Sequence, residues 1–78
     1  MKKIAGKLMD YGMDFEYECM YSEGERIVSH EASIEVYNQR GVVTFDHCGE
    51  EIYKADTAKT NFEQLAGLLE NILIEETT

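Results

Sequence analysis

Residues 13–37 read MDFEYECMYSEGERIVSHEASIEVY, and this stretch decides the fold. From Met13 to Cys19, apolar and acidic side chains alternate at every residue, which is the pattern of a β-strand with one buried face. Residues 22–25 (Ser-Glu-Gly-Glu) have the composition of a turn, and the alternation resumes at 26–37. The stretch therefore predicts a β-hairpin that has one apolar face and one acidic face.

The apolar residues also predict the register of this hairpin. A two-residue loop and a four-residue loop within the turn give the same pairing, which sets Cys19 opposite Val28 and Glu16 opposite Glu31. A slip by one residue would place carboxylates in the core, so the pattern favours this register. It puts two like charges directly opposite each other on the acidic face, and such a pair opposes folding.

A further turn and strand follow the hairpin. Residues 38–41 (Asn-Gln-Arg-Gly) have asparagine first and glycine fourth, which is typical of a type I turn. The next predicted strand covers residues 42–47. A four-residue loop pairs Val36 with Val43 and extends the apolar face, so we prefer it to a three-residue loop with a bulge.

A weaker strand is predicted at residues 51–55, after a turn near Cys48 and Gly49. Its register is ambiguous because Ile52 and Tyr53 are adjacent and both could face the core. The sheet therefore has three or four strands.

A short helix is predicted at residues 2–11. Ile4, Leu8 and Tyr11 lie on one helical face, and Gly12 stands where a left-handed residue often ends a helix. An additional edge strand is the alternative for this segment.

The clearest helix is predicted at residues 61–75. Thr60 and Glu63 have the spacing of a capping box. The expected buried stripe consists of Phe62, Leu65, Ala66, Leu69, Ile72 and Leu73. Leu68 and Ile74 widen this stripe beyond what one small sheet needs.

These elements predict a single α+β domain over residues 1–78. It would be an antiparallel meander of three to four strands, with a short N-terminal helix and a longer C-terminal helix packed on one sheet face. A chain of 78 residues hides only about 60% of the surface of its unfolded chain, so the core is small.

The charge of the chain is strongly acidic and unevenly distributed. The net charge is −9, and residues 1–9 contain three lysines and no acid. Such a surface repels nucleic acid and anionic membranes and attracts basic proteins, although acidity also serves solubility alone. No apolar run approaches a secretory or membrane-spanning segment. We therefore expect a cytoplasmic protein with free thiols, no membrane association and no direct binding to nucleic acid.

The acidic face of the predicted hairpin is the candidate partner-binding surface. Its members are Asp14, Glu16, Glu18, Glu31 and Glu35, with Met20, Ile27 and Tyr37 as apolar neighbours. Carboxylates on one face of a strand are spaced by about 6.6–6.8 Å, and this regular row is loosely comparable to a phosphate backbone. The alternative interpretation is a solvated face that resists aggregation.

Catalytic and metal-binding patterns are weak. Cys19, His30 and His47 could approach one another in the predicted register, but they lack the paired spacing of a zinc site. His47 and Cys48 are neighbours on a strand, whose side chains point to opposite faces, so they do not suggest a nucleophile and its base. We expect no enzymatic activity, no cofactor and no metal.

The leading functional hypothesis is a small non-catalytic inhibitor that mimics nucleic acid and blocks a basic nucleic-acid-binding protein. In size and acidity the chain is similar to phage-encoded inhibitors of host defence, including anti-CRISPR proteins and DNA mimics. That resemblance is general and assigns no residue. The alternatives are a small regulator or subunit that binds a partner, or a second copy of itself, through Leu68 and Ile74 of the C-terminal helix, and a small metal-binding protein.

Overall fold

The computed structural model describes residues 1–20 and 24–77, except for the side chains at positions 20, 76 and 77. Tyr21 and the predicted turn residues Ser22 and Glu23 therefore lie outside the described residues. The elements are α1 (Lys2–Asp10), β1 (Glu16–Met20), β2 (Gly24–Ser29), β3 (Ile34–Gln39), β4 (Val42–His47), β5 (Glu50–Asp56), a 3-10 turn (Thr57–Lys59) and α2 (Phe62–Thr77).

The sheet is an antiparallel meander whose strands lie in the order β1-β2-β3-β4-β5. Residues of both helices share one core with the sheet, so the predicted α+β class and the arrangement of the helices are confirmed. Among the described residues the sheet has five strands rather than three or four, because residues 26–37 do not form one continuous strand. None of the described helices is long and apolar enough to cross a membrane.

A turn at residues 30–33 divides the predicted second strand into β2 and β3. The Ser29 hydroxyl stabilises the turn: it accepts a hydrogen bond from the Ala32 amide (3.3 Å) and donates one to the Asp14 carbonyl (2.7 Å). Ser33 has a positive φ of 55°. Serine side chains stabilise turns through such local bonds. The segment contains no glycine, proline or asparagine, so its alternation resembled a strand.

The predicted register of the first hairpin is wrong. Glu16 lies opposite Val28, and Tyr17 lies opposite Ile27. The shift from the predicted pairing is three residues, and because side chains alternate at every residue, an odd shift exchanges the two faces of β2. Ile27 is consequently fully buried in the core, and Glu31 belongs to the turn and faces no strand residue.

The next hairpin also differs from the prediction. Arg40 and Gly41 form a two-residue turn, with φ values of 53° and 76°. Positive φ at both central positions is typical of the type I′ turn, which matches the twist of paired strands. Val36 therefore pairs with Phe45 rather than with Val43. This shift of two residues keeps each side chain on its predicted face.

The ambiguity in β5 is resolved by a bulge. The pairing shifts between Phe45 and Asp46, so that Tyr53 lies opposite Phe45 and Glu51 lies opposite Asp46. Tyr53 packs against the core, whereas Ile52 is 42% exposed.

The core lies between the sheet and the two helices. Its buried members are Ile4, Leu8, Ile27, Ala32, Ile34, Val36, Val43, Phe45, Leu65, Ala66, Leu69 and Leu73. The apolar stripe of α2 is thus confirmed, with Phe62 and Ile72 packed at its margin. Leu68 also packs against the core and is only partly exposed.

Salt bridges join α1 and α2 along their shared seam. Lys3 Nζ lies 2.8 Å from Glu63 Oε1, and Lys7 Nζ lies 2.7 Å from Glu70 Oε2. The hydrogen bond from Lys7 lowers the pKa of Glu70 below its ordinary value of 4.5. This pair therefore stabilises the fold above pH 4.5 and loses its effect as the pH falls through the lowered pKa. Two of the three lysines in residues 1–9 are thus paired with acids of α2.

The helix ends follow from local chemistry. After α1, the Gly12 amide donates to Met9 O and the Met13 amide donates to Leu8 O, which is the Schellman arrangement. Gly12 has the predicted positive φ, 67°. The predicted capping box of α2 is wrong, because Asn61 Oδ1 accepts the amides of Glu63 (3.0 Å) and Gln64 (3.2 Å). The Thr60 hydroxyl donates to the Asp56 carbonyl instead.

Two glycines inside the helices offer a stability prediction. A Cβ built at Gly6 or at Gly67 meets no atom within 4 Å, and glycine in a helix interior costs about 0.5–1 kcal/mol relative to alanine. We expect Gly6→Ala and Gly67→Ala each to raise the free energy of unfolding by about that amount. Urea titrations followed by circular dichroism would measure it, and a loss of stability in either variant would contradict the prediction.

Candidate binding surface on the outer sheet face

The sheet face opposite the helices, here called the outer face, carries the candidate site. The register places its side chains in rows that cross the strands. The first row consists of Glu16, Val28, Glu35, Asp46 and Glu51. The second row consists of Glu18, Arg26, Tyr37, Thr44 and Lys54.

Three carboxylates of the first row stand directly opposite one another on successive strands. Glu35 pairs with Asp46, and Asp46 pairs with Glu51. Side chains in such positions have Cβ atoms about 4.5–5.5 Å apart, and like charges there are destabilising. None of the salt bridges within 1–20 and 24–77 involves these three residues. These three residues, here called the acidic row, therefore have no described lysine or arginine in a salt bridge with them.

The second row is largely neutralised. Arg26 Nη2 lies 3.0 Å from Glu18 Oε1, and this hydrogen bond raises the pKa of the guanidinium. Arg26 thus lies within β2, beside the acidic row. Tyr37, opposite Arg26, donates its hydroxyl to Glu35 Oε2 at 2.7 Å. That bond raises the pKa of Tyr37.

Most of the predicted site residues lie on or beside the outer face. Glu16, Glu18, Glu35 and Tyr37 belong to its rows, and Asp14 is exposed just before β1. Tyr37 lies opposite Thr44.

Two predicted site residues, Ile27 and Glu31, do not join the outer face. Ile27 is buried in the core, and the side chain of Met20 lies outside the described residues. Glu31 is an exposed turn residue, whose Oε2 accepts the Asp14 amide at 3.0 Å. The predicted contact between Glu16 and Glu31 does not form.

A cleft of about 270 Å³ opens beside the acidic row, where the turns at 30–33 and 48–49 lie next to each other. Val28, Glu35 and Asp46 line it from the sheet, and His30 and Cys48 line it from the turns. Val28 is only 8% exposed although it belongs to the outer face. The cleft therefore combines an apolar residue with two carboxylates, which suits a cationic side chain that has an apolar stem.

The candidate metal ligands are not brought together. Cys19 lies opposite Glu25, at the other end of β2 from the turn that contains His30. Within the described ranges, no three His, Cys, Asp or Glu side chains are placed to hold a metal ion. Cys48 Sγ does lie 3.5 Å from His47 Nε2, because Cys48 leaves the strand for a turn with φ 53°.

The row of Glu35, Asp46 and Glu51 was missed by sequence reasoning. The pairing of Glu35 with Asp46 could have been predicted from the dipeptide Arg40-Gly41, because a two-residue loop at this dipeptide sets these two residues opposite each other. Glycine at the second central position favours that loop. The contribution of Glu51 had no such signal, since it depends on the bulge in β5.

The outer face differs from the helical layer in how its carboxylates are paired. It presents Glu35, Asp46 and Glu51 on three neighbouring strands, whereas Glu63 and Glu70 of the helical layer are paired with lysines. No protein-family model matches the chain, and no curated protein or solved structure is significantly similar to it.

Proposed function

We propose that this protein is a small non-catalytic inhibitor that binds the nucleic-acid-binding surface of a basic protein through its outer sheet face. The observation that carries the proposal is the row of Glu35, Asp46 and Glu51 on three neighbouring strands. A sheet selected for folding alone would place opposite or neutral side chains at these positions. A basic partner would neutralise the row and relieve the repulsion.

The spacing of the outer face supports a mimic of nucleic acid. Neighbouring strands are about 4.7–4.9 Å apart, and same-face residues along a strand are about 6.6–6.8 Å apart. Phosphates of one DNA strand carry one charge per about 3.4 Å of helix axis and lie further apart through space. Lysine and arginine side chains that bind phosphates could therefore also bind the carboxylates of the outer face.

The cleft beside Glu35 and Asp46 supplies an anchor. A lysine or arginine of the partner would place its charge between the two carboxylates and its stem against Val28. The opposite charges would accelerate association of the two proteins, and the cleft would fix the position of the partner on the outer face. In this proposal the protein acts in the cytoplasm of a host cell as a phage or mobile-element anti-defence protein, similar in type to anti-CRISPR proteins.

The substitution Asp46→Lys tests the proposal. It converts two repulsive pairs, with Glu35 and with Glu51, into attractive ones. Cross-strand pairs contribute about 0.2–1 kcal/mol each, so we expect the free energy of unfolding to rise. We also expect partner binding to be lost, because the substitution places a cation in the middle of the acidic row. Urea titration and capture on immobilised protein would measure the two effects.

Asp10→Lys is the matched control, because Asp10 is exposed on α1, in the helical layer. It makes the same change in net charge, and we expect binding to be retained. Equal loss in both variants would show that net charge alone drives the interaction, and retained binding in Asp46→Lys would contradict the proposal.

The partner can be captured from nuclease-treated host lysate at two salt concentrations. We expect a nucleic-acid-binding protein whose capture weakens with salt. Added DNA or RNA should then displace it from the immobilised chain. A partner that binds nucleic acid and this chain at the same time would rule out mimicry.

Association through α2, with a partner or with a second copy of the chain, remains an alternative proposal. The observation that favours it is a groove between β5 and α2, lined in part by Tyr53, Leu65 and Leu68. Ile74 is 44% exposed on the same helix. Leu68 already packs against the core, so the apolar surface left for a partner is smaller than the sequence suggested. Sedimentation of the wild type and of Ile74→Asp would detect a homodimer.

A further inference from the structure

The two edge strands of the sheet differ in their protection against pairing with another strand. β5 carries a bulge and Lys54, and both features discourage edge pairing. β1 pairs regularly with β2 and contains no lysine or proline. Among the described strands, none lies on the other side of β1. Alternate residues of β1 therefore direct their backbone N–H and C=O groups toward an open edge.

A second copy of β1 is disfavoured at this edge in the registers centred on Glu16, Tyr17 or Glu18. Two such strands related by a two-fold axis would pair antiparallel, and residues directly opposite would share a face. A pair centred on Tyr17 sets Glu16 against Glu18. A pair centred on either glutamate sets that carboxylate against its own copy. The charges that disfavour these registers favour a strand with lysine or arginine at every second position.

The helix side of the same edge requires a different residue type. Tyr17 is 50% exposed there, and its hydroxyl donates to Glu25. A groove of about 460 Å³ opens beside it, lined by Met1, Lys2, Ala5, Tyr17 and Glu25. The hydrogen bond to Glu25 raises the pKa of Tyr17 to about 12, so the hydroxyl remains a neutral donor at physiological pH. An apolar side chain opposite Tyr17 would enter this groove.

We propose that the open edge of β1 binds an extended segment of a basic protein as a sixth strand. Lysine or arginine residues of that segment lie opposite Glu16 and Glu18 on the outer face. Apolar residues at the intervening positions cover Tyr17 and enter the groove beside α1. The inference rests on the proposed function, because it specifies how the basic partner extends its contact from the acidic row to the sheet edge.

A synthetic peptide that alternates lysine and valine is the probe. Cys19 lies on β1 and Cys48 lies in the β4–β5 turn, and both are free and exposed. We expect saturating alternating peptide to slow alkylation of Cys19 by iodoacetamide several-fold and to leave Cys48 unchanged, as measured by mass spectrometry. A peptide of the same composition with its lysines in one block should protect neither cysteine.

Two charge reversals complete the test. Glu16→Lys should abolish protection by the lysine–valine peptide and create protection by a glutamate–valine peptide. Glu50→Lys makes the same change on the opposite edge strand, at an exposed position outside both rows of the outer face, and we expect it to retain the wild-type response. Equal protection by the blocked peptide, or equal loss in both variants, would show non-specific attraction and overturn the inference.

The failure of this inference can be distinguished from failure of the proposed function. If no peptide protects Cys19 but Asp46→Lys still loses the captured partner, strand addition is wrong and the inhibitor proposal stands. If protection depends on alternation but Asp46→Lys retains the partner, the outer face is not the inhibitory surface.

Discussion

Replacement of Gly24 by alanine should destabilise the protein by about 2–5 kcal/mol, from steric overlap and from backbone strain together. Gly24 has a φ of 117°, and a Cβ at this position would lie 2.1 Å from the carbonyl oxygen of Asn38. That oxygen belongs to the backbone of β3, which is paired on both sides. It cannot move without disturbing the centre of the sheet. Urea titration followed by circular dichroism would measure the loss.

Gly12→Ala is the control for Gly24→Ala. Gly12 also has a positive φ, 67°, but a Cβ there meets nothing within 4 Å. In Gly12→Ala only backbone strain remains, and we expect it to lower the free energy of unfolding by about 1–2 kcal/mol. Equal losses in the two variants would show that the close approach of β2 to Asn38 contributes nothing.

Truncation of Phe45 to alanine should lower the free energy of unfolding by about 3–5 kcal/mol. Phe45 is fully buried and stands between Val36 and Tyr53 at the centre of the sheet. A chain of this length has a total stability of about 4–12 kcal/mol, so the loss is a large share of the total. Since 1 kcal/mol shifts the Tm of a small domain by about 4–8 °C, we expect a decrease of at least about 12 °C in thermal unfolding.

Phe62→Ala is the matched control for Phe45→Ala. Phe62 begins α2 and is only partly buried at the margin of the core. Its loss leaves a site that solvent and neighbouring side chains can fill, so the decrease in Tm should be clearly smaller. A larger effect at Phe62 than at Phe45 would contradict the assigned centre of the core.

The helices and the general class could be predicted because their signals are local. The stripe of Leu65, Leu69 and Leu73 follows helical periodicity over several turns, and the end of α1 at Gly12 follows from one residue type. The cap of α2 was misplaced by one residue because Thr60 and Asn61 both have capping side chains.

The candidate site was predicted only in part. The alternation before Cys19 correctly placed Glu16 and Glu18 on the face away from the core. Alternation alone does not specify which strand residues meet, and the turn at 30–33 has no glycine or proline to mark it. The pairing of Glu16 with Glu31 was therefore wrong, and Ile27 was assigned to the wrong face.

The sequence by itself determined that this chain forms an amphipathic sheet with an acidic face, covered on the other face by helices. Periodicity and net charge suffice for that conclusion, because each depends on residue type and spacing alone. Only the tertiary structure decided which carboxylates meet. The side chains of a strand alternate with a period of two, so loop length sets the pairing, and the turns at 30–33 and 40–41 with the bulge in β5 set Glu35, Asp46 and Glu51 in one row.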